Sequence, residues 1–175
     1  ATDAAGNTDA TPASASWMVD TIPPTSTLIS IDGGTNYTDS TSVSLTLAAT
    51  GASHMRFKNE SAGTWTNYET YATGKSWTLL NTQGTRTVYV QFKDLAGNET
   101  SGSTSDEIIL DSAAPTNVSI VIDGGTAYTD STGVALTLAA TGASQMRFKN
   151  ESAGTWTNYE TYSASKTWTL EDTQG

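Results

Sequence analysis

The sequence predicts an all-β chain of tandem β-sandwich modules, and three observations carry that prediction. Apolar residues alternate with polar ones in short runs, as a half-buried strand requires. Gly, Asp, Asn and Pro punctuate those runs, and no segment of useful length shows helical periodicity. The pattern then recurs, without insertion or deletion, 91 residues further on.

Within residues 23–113 the first run is Leu28-Ile29-Ser30-Ile31, stopped by the turn Asp32-Gly33-Gly34. Val43-Ser44-Leu45-Thr46-Leu47 follows, and because side chains alternate across a strand, Val43, Leu45 and Leu47 share one face. Met55-Arg56-Phe57-Lys58 turns Met55 and Phe57 inward by the same rule. Trp65 to Tyr71 and Lys75 to Leu79 read as two further strands. Thr85 to Phe92 is the strongest run, with Val88, Val90 and Phe92 on one face, and Ser105 to Leu110 closes the set with Ile108 and Leu110 inward. That makes about seven strands. Leu45, Leu47, Phe57, Trp77, Val88 and Val90 are the expected buried positions, with Trp77, in phase with Leu79, as the central core tryptophan. Trp65, Tyr68 and Tyr89 add large apolar area to a module small enough to be marginal.

The repeat is close to literal. Residues 24–84 and 115–175 are identical at 47 of 61 positions. Met55-Arg56-Phe57-Lys58-Asn59 returns as Met146-Arg147-Phe148-Lys149-Asn150, and Trp65 and Trp77 return as Trp156 and Trp168. Asp94-Leu95-Ala96-Gly97-Asn98 has an earlier counterpart in Asp3-Ala4-Ala5-Gly6-Asn7. The expected organisation is therefore residues 1–22 as the C-terminal strand region of a preceding module, 23–113 as a complete module, and 114–175 as a module lacking its last strands. The two long copies are expected to share one backbone, differing only at Ala72-Thr73-Gly74 against Ser163-Ala164-Ser165 and at the free ends. Trp17 and Val19 are expected to face where Ile108 and Leu110 face. Position 175 matches Gly84 and position 1 matches Phe92, so neither end supplies an equivalent of Thr85 to Gln91. That arithmetic favours a window on a longer continuous array over donation of the N-terminal strand to a second copy.

The stretch from Met55-Arg56-Phe57 through Trp65, Tyr68, Tyr71 and Lys75-Ser76-Trp77-Thr78-Leu79 to Gly84–Asn98 resembles bacterial and archaeal immunoglobulin-like repeats, also described as fibronectin type III-like. Ile109-Leu110-Asp111-Ser112-Ala113-Ala114-Pro115-Thr116 resembles their inter-module joint. The resemblance covers the whole chain. It implies a sandwich of about seven strands and a place in a large secreted or cell-surface protein, as stalk, adhesin arm or accessory module. Fold alone does not set function.

Composition narrows the function independently. Charged residues make up 15% of the chain, against about 25% in ordinary globular proteins. Hydroxyls and amides must supply the solubility, as suits an extracellular β-protein. A net charge of −10 with eight Lys and Arg argues against nucleic acid as a partner and against an anionic membrane surface. No apolar run is long enough to span a bilayer. Cysteine is absent, which removes disulfides, thiolate metal sites and cysteine nucleophiles. The single histidine, His54, is replaced by Gln145 in the second copy, the opposite of what a catalytic base at a repeated site requires. No enzyme activity and no cofactor are expected.

Three classes of candidate site remain. Asp94 and Asn98 offer hard oxygens that calcium takes, and Asp111, Asp123 and Asp130 are candidates for an inter-module calcium. Against this, Asp94–Asn98 reads more simply as a turn in which Asp caps its own backbone, and the distal Glu of an EF-hand loop is missing. Asp32-Gly33-Gly34 and Asp123-Gly124-Gly125 carry no basic residue and no following helix, so they are turns, not phosphate cradles. Trp65 and Trp156, each following a Gly-bearing loop, are candidates for contact with sugar rings. Asn36, Asn59, Asn98, Asn117 and Asn150 each head an Asn-X-Ser/Thr sequon open to N-glycosylation. The reading these support is a structural repeat segment of an extracellular stalk, adhesin or filament, with neighbouring copies of the repeat as partners. The alternative is a carbohydrate-binding accessory region of a secreted hydrolase.

Overall fold

A computed structural model describes all residues except Ser152 and 173–175. Among the described residues the chain is all-β, with several sheets and no closed barrel, and it divides into two compact units, residues 1–112 and 113–175.

In the first unit the order is β1 (Thr25–Ile31), a 3-10 turn (Asp32–Gly34), β2 (Tyr37–Thr38), β3 (Ser42–Thr50), β4 (His54–Asn59), β5 (Glu69–Thr70), β6 (Gly74–Thr78), β7 (Gly84–Lys93) and β8 (Thr104–Leu110). Two sheets form: β1-β3-β6, and β2-β8-β7-β4-β5. All pairings are antiparallel except β2 with β8. The alternation read from sequence decides which face is dry. Val43, Leu45 and Leu47 from one sheet and Met55, Phe57, Val88, Val90, Phe92 and Ile108 from the other make one buried cluster. The sheets are also joined by polar groups at the β1/β8 edge. Asp106 Oδ2 accepts the Ile31 N–H at 2.8 Å, and the Thr27 and Thr104 hydroxyls lie 2.6 Å apart.

The strands expected from sequence are present, with two differences. The run Trp65 to Tyr71 contracts to Glu69–Thr70, because residues 60–68 leave the plane and cross the outer face of β4. The pair Tyr37–Thr38, too short to show a period, is an additional strand. Trp77 is a correction. It is half-buried, not a central core residue, and packs on the cluster from its edge. Phe57, at 0% exposure, is fully buried. Trp77 stacks on it with ring centres 5.3 Å apart.

In the second unit the elements are β9 (Thr116–Ile122), a 3-10 turn (Asp123–Gly125), β10 (Gly133–Thr141), β11 (Gln145–Met146), β12 (Glu160–Thr161) and β13 (Ser165–Thr169). Its sheets are β13-β10-β9 and β11-β12. β9, β10, β12 and β13 begin and end 91 residues after β1, β3, β5 and β6. The expectation that copies differ only at 72–74 and the ends fails at β11. It holds two residues where β4 holds six. β4 is braced by β7 along its whole length, and among the described residues no strand stands beside 147–150. Burial follows: Ile29 and Ile31 are 7% and 0% exposed, whereas Ile120 and Ile122 are 55% and 42% exposed.

Residues 12–24 belong to no strand, and Trp17, Met18 and Val19 are exposed. The expected strand through Trp17 and Val19 is not formed, since an extended segment becomes a strand only by pairing its backbone.

Candidate functional site

The loop 60–68 is the element that builds a surface. It is pinned to β4 by the Thr66 N–H on the Phe57 carbonyl at 2.8 Å and by the Phe57 N–H on Thr66 Oγ1 at 3.0 Å. Gly63 is required in its turn, since a Cβ there would stand 1.8 Å from the Asn59 carbonyl oxygen. This docking lays Trp65 and Tyr68 over the outward side chains of the sheet. The Arg56 guanidinium carbon lies 5.2 Å from the Trp65 ring centre and 4.6 Å from that of Tyr68. Lys58 Nζ lies 5.0 Å from Trp65 and 5.1 Å from Tyr89, and Lys93 Nζ lies 4.1 Å from Tyr68. These are cation–π distances. Arg56 also donates from Nε and Nη2 to Gln91 Oε1 at 3.0 and 2.6 Å, and its Nη2 stands 3.6 Å from Glu99 Oε2.

The Tyr68 hydroxyl is buried and finds no hydrogen-bond partner of good geometry. Burial, then the neighbouring Glu99 carboxylate, push its acidity constant up to about 12, against a smaller opposite pull from Arg56.

The second unit carries the same arrangement. Thr157 and Phe148 exchange the same two bonds, at 2.8 and 3.0 Å. Arg147 lies 4.8 Å from Trp156 and 4.7 Å from Tyr159, and Lys149 lies 5.1 Å from Trp156. Trp65 is half-buried and Trp156 is 48% exposed. Sequence reasoning named both tryptophans but missed the cations beneath them. The available signal was the alternation itself, which turns Arg56 and Lys58 outward as surely as it turns Met55 and Phe57 inward.

The calcium candidates fall in different places. Asp94 and Asn98 come together, but their groups are engaged with each other. Asp94 Oδ1 accepts the Gly97 and Asn98 N–H groups at 2.7 and 2.8 Å, and Oδ2 accepts Asn98 Nδ2 at 2.8 Å. Burial alone would raise the Asp94 acidity constant, yet the donors from Asn98, Gly97 and Ala96 together hold it below the usual carboxylate value. Asp3 makes the same two bonds to Asn7 and takes the Ala5 N–H on Oδ1, so a closely similar five-residue turn forms there as well. Asp123 Oδ1 takes the Ala135 N–H at 2.7 Å, as Asp32 Oδ1 takes that of Ser44. Asp111 lies in the first unit, and Asp123 and Asp130 in the second. Among the described residues no three His, Asp or Glu form a group able to hold a metal ion.

The sequon asparagines divide by the state of their amides. Asn59 accepts the Trp77 indole N–H at 2.7 Å and donates to the Thr78 carbonyl at 3.0 Å. Asn150 does the same with Trp168 and Thr169, at 2.6 and 3.0 Å. Asn98 Nδ2 donates to Asp94 and to the Asp20 carbonyl. A glycan on any of these three would displace structural bonds. Asn36 is exposed, and exposed Asn117 makes one bond to Thr141 Oγ1 at 3.2 Å.

No protein-family profile matches the chain, and no curated protein matches it in sequence.

Proposed function

We propose that the chain is a structural repeat segment of an extracellular stalk, adhesin or filament, without catalysis, built of immunoglobulin-like modules that neighbour further copies of themselves. The observation that carries this reading is internal wiring repeated at a fixed offset. The indole-to-asparagine bond, the Phe–Trp stack, the Asp anchor and the cation-backed tryptophan each occur twice, 91 residues apart. Even the left-handed residues recur, Ser26, Asp32 and Glu60 against Asn117, Asp123 and Glu151. Side chains kept for mutual packing, with no acid–base pair poised over a cleft among the described residues, suit a spacer.

The strand order also supports the immunoglobulin-like reading. One sheet is β1-β3-β6, and the other sets β2 parallel to β8 and continues through β7, β4 and β5. In immunoglobulin letters these read as A-B-E and A′-G-F-C-C′. An antibody raised against the chain should label intact, unpermeabilised cells of the source or the filaments they shed. Labelling seen only after lysis would overturn the reading.

A second reading, carbohydrate-binding accessory modules of a secreted hydrolase, draws on the exposed Trp156 ring and its counterpart Trp65. Retention on a neutral polysaccharide, lost in a Trp65→Ala/Trp156→Ala double variant, would favour it.

A further inference from the structure

Arg56, Lys58 and Lys93 are three of only eight Lys and Arg residues in a chain of net charge −10. All three lie on the outer face of the β2-β8-β7-β4-β5 sheet, interleaved with Trp65, Tyr68 and Tyr89. Among the described residues of that face, these three positive charges outnumber the carboxylates of Glu99, beside Arg56, and of Glu107, held by the Thr87 hydroxyl on β8. We propose that this face binds an acidic polysaccharide, with ring faces of the sugar on Trp65 and carboxylates against the three cations.

The charge of the ligand follows from what lies under the tryptophan. A neutral sugar stacks by placing its C–H groups on the negative face of an aromatic ring. Here Arg56 and Lys58 sit beneath Trp65 and offset that negative potential, so a neutral sugar gains less above it. An anionic sugar is repelled less by the ring and is attracted by the cations behind it. The cations are half-buried and held in place by the rings, so little side-chain freedom is lost on binding. The acidic remainder of the chain opposes the approach weakly, because charges more than about 8 Å away are screened at physiological salt. The second unit presents the same core, Arg147 and Lys149 beneath Trp156 with Tyr159 alongside.

The inference rests on the aromatic surface of the second reading but needs no hydrolase, and native-gel electrophoresis of the full chain tests the two separately. Polygalacturonate cast in the gel should retard the chain, and neutral dextran should not. Arg56→Gln/Arg147→Gln should weaken the retardation about tenfold, the loss of one charge-assisted contact in each unit. Lys93→Gln should also weaken it and guards against a folding defect, since the contact Lys93 makes is with the Tyr68 ring and removing it leaves the Gln91–Arg56 bonds intact. Glu99→Gln should strengthen binding a few-fold, a gain that a purely structural role for these residues does not produce. No retardation by polygalacturonate, or retardation indifferent to Lys93→Gln and Glu99→Gln, overturns the proposal. Equal retardation by dextran that is lost on Trp65→Ala/Trp156→Ala also overturns it, while leaving the neutral-sugar reading standing.

Discussion

Trp77 shows how one residue joins core and surface. Its ring stacks on Phe57 while its indole N–H is fixed by Asn59, so the side chain works from the edge of the cluster. Trp77→Ala should cost about 3 kcal/mol in a urea titration, the low end for a tryptophan truncation because the ring is half-buried. Trp77→Phe should lose about 1–2 kcal/mol, from the missing bond to Asn59 and the smaller ring on Phe57. The same loop limits Gly63. Gly63→Ala forces the backbone off the Asn59 carbonyl and should cost about 1–3 kcal/mol, whereas Gly102→Ala, with nothing within 4 Å of the added carbon, should be close to neutral.

Two titrations belong to this scale as well. Tyr68 holds its proton more tightly folded than unfolded, with about 12 against the ordinary 10.0. The folded state therefore binds more protons between those values, and stability is intact below pH 10 and falls as pH rises toward 12. Tyr68→Phe should remove that part of the alkaline loss in denaturant titrations at stepped pH. Asp94 is shifted the opposite way. Its contribution is present above the ordinary value of 3.8 and is lost as pH falls through its lower folded value, so Asp94→Asn should flatten the acid limb of the same profile.

At the scale of elements, equivalent strands in the two units have unequal surroundings. β1 and β9 share their bounds and turn, and β3 and β10 share Val-X-Leu-X-Leu. Yet Leu47 is buried at 2% exposure and its counterpart Leu138 only partly, because β7 and β8 lie over the first unit's inner face. In the full chain, amides of β3 should exchange with deuterium slower than those of β10 by at least about an order of magnitude. Equal protection would mean that the inner face of the second unit is covered in solution. β4 and β11 give the same lesson in backbone terms: Met-Arg-Phe-Lys-Asn lies wholly within the six-residue β4, whereas in the second unit only its Met belongs to the two-residue β11.

Across the molecule, the two units carry cores of different size, thirteen buried apolar residues from Ile29 to Leu110 in the first against Val134, Leu136 and Phe148 in the second. Calorimetry should accordingly resolve more than one transition, and a single two-state melt would show that the units unfold as one. The sequence by itself determined the class, the repeat, the inward face of the long strands and the turns. Each of those is local: alternation, a glycine at positive φ, and an aspartate that bonds backbone within five residues are written in consecutive side chains. It also determined that Asp94–Asn98 caps itself, because the turn forms as readily at Asp3–Asn7. Only the tertiary structure decided that Trp77 is an edge residue, that Tyr37–Thr38 pairs with β8, and that three cations gather under two aromatic rings. Those outcomes depend on which strand lies beside which and on where a loop settles over a sheet. Such contacts join residues far apart in the chain, and no periodicity within either partner records them.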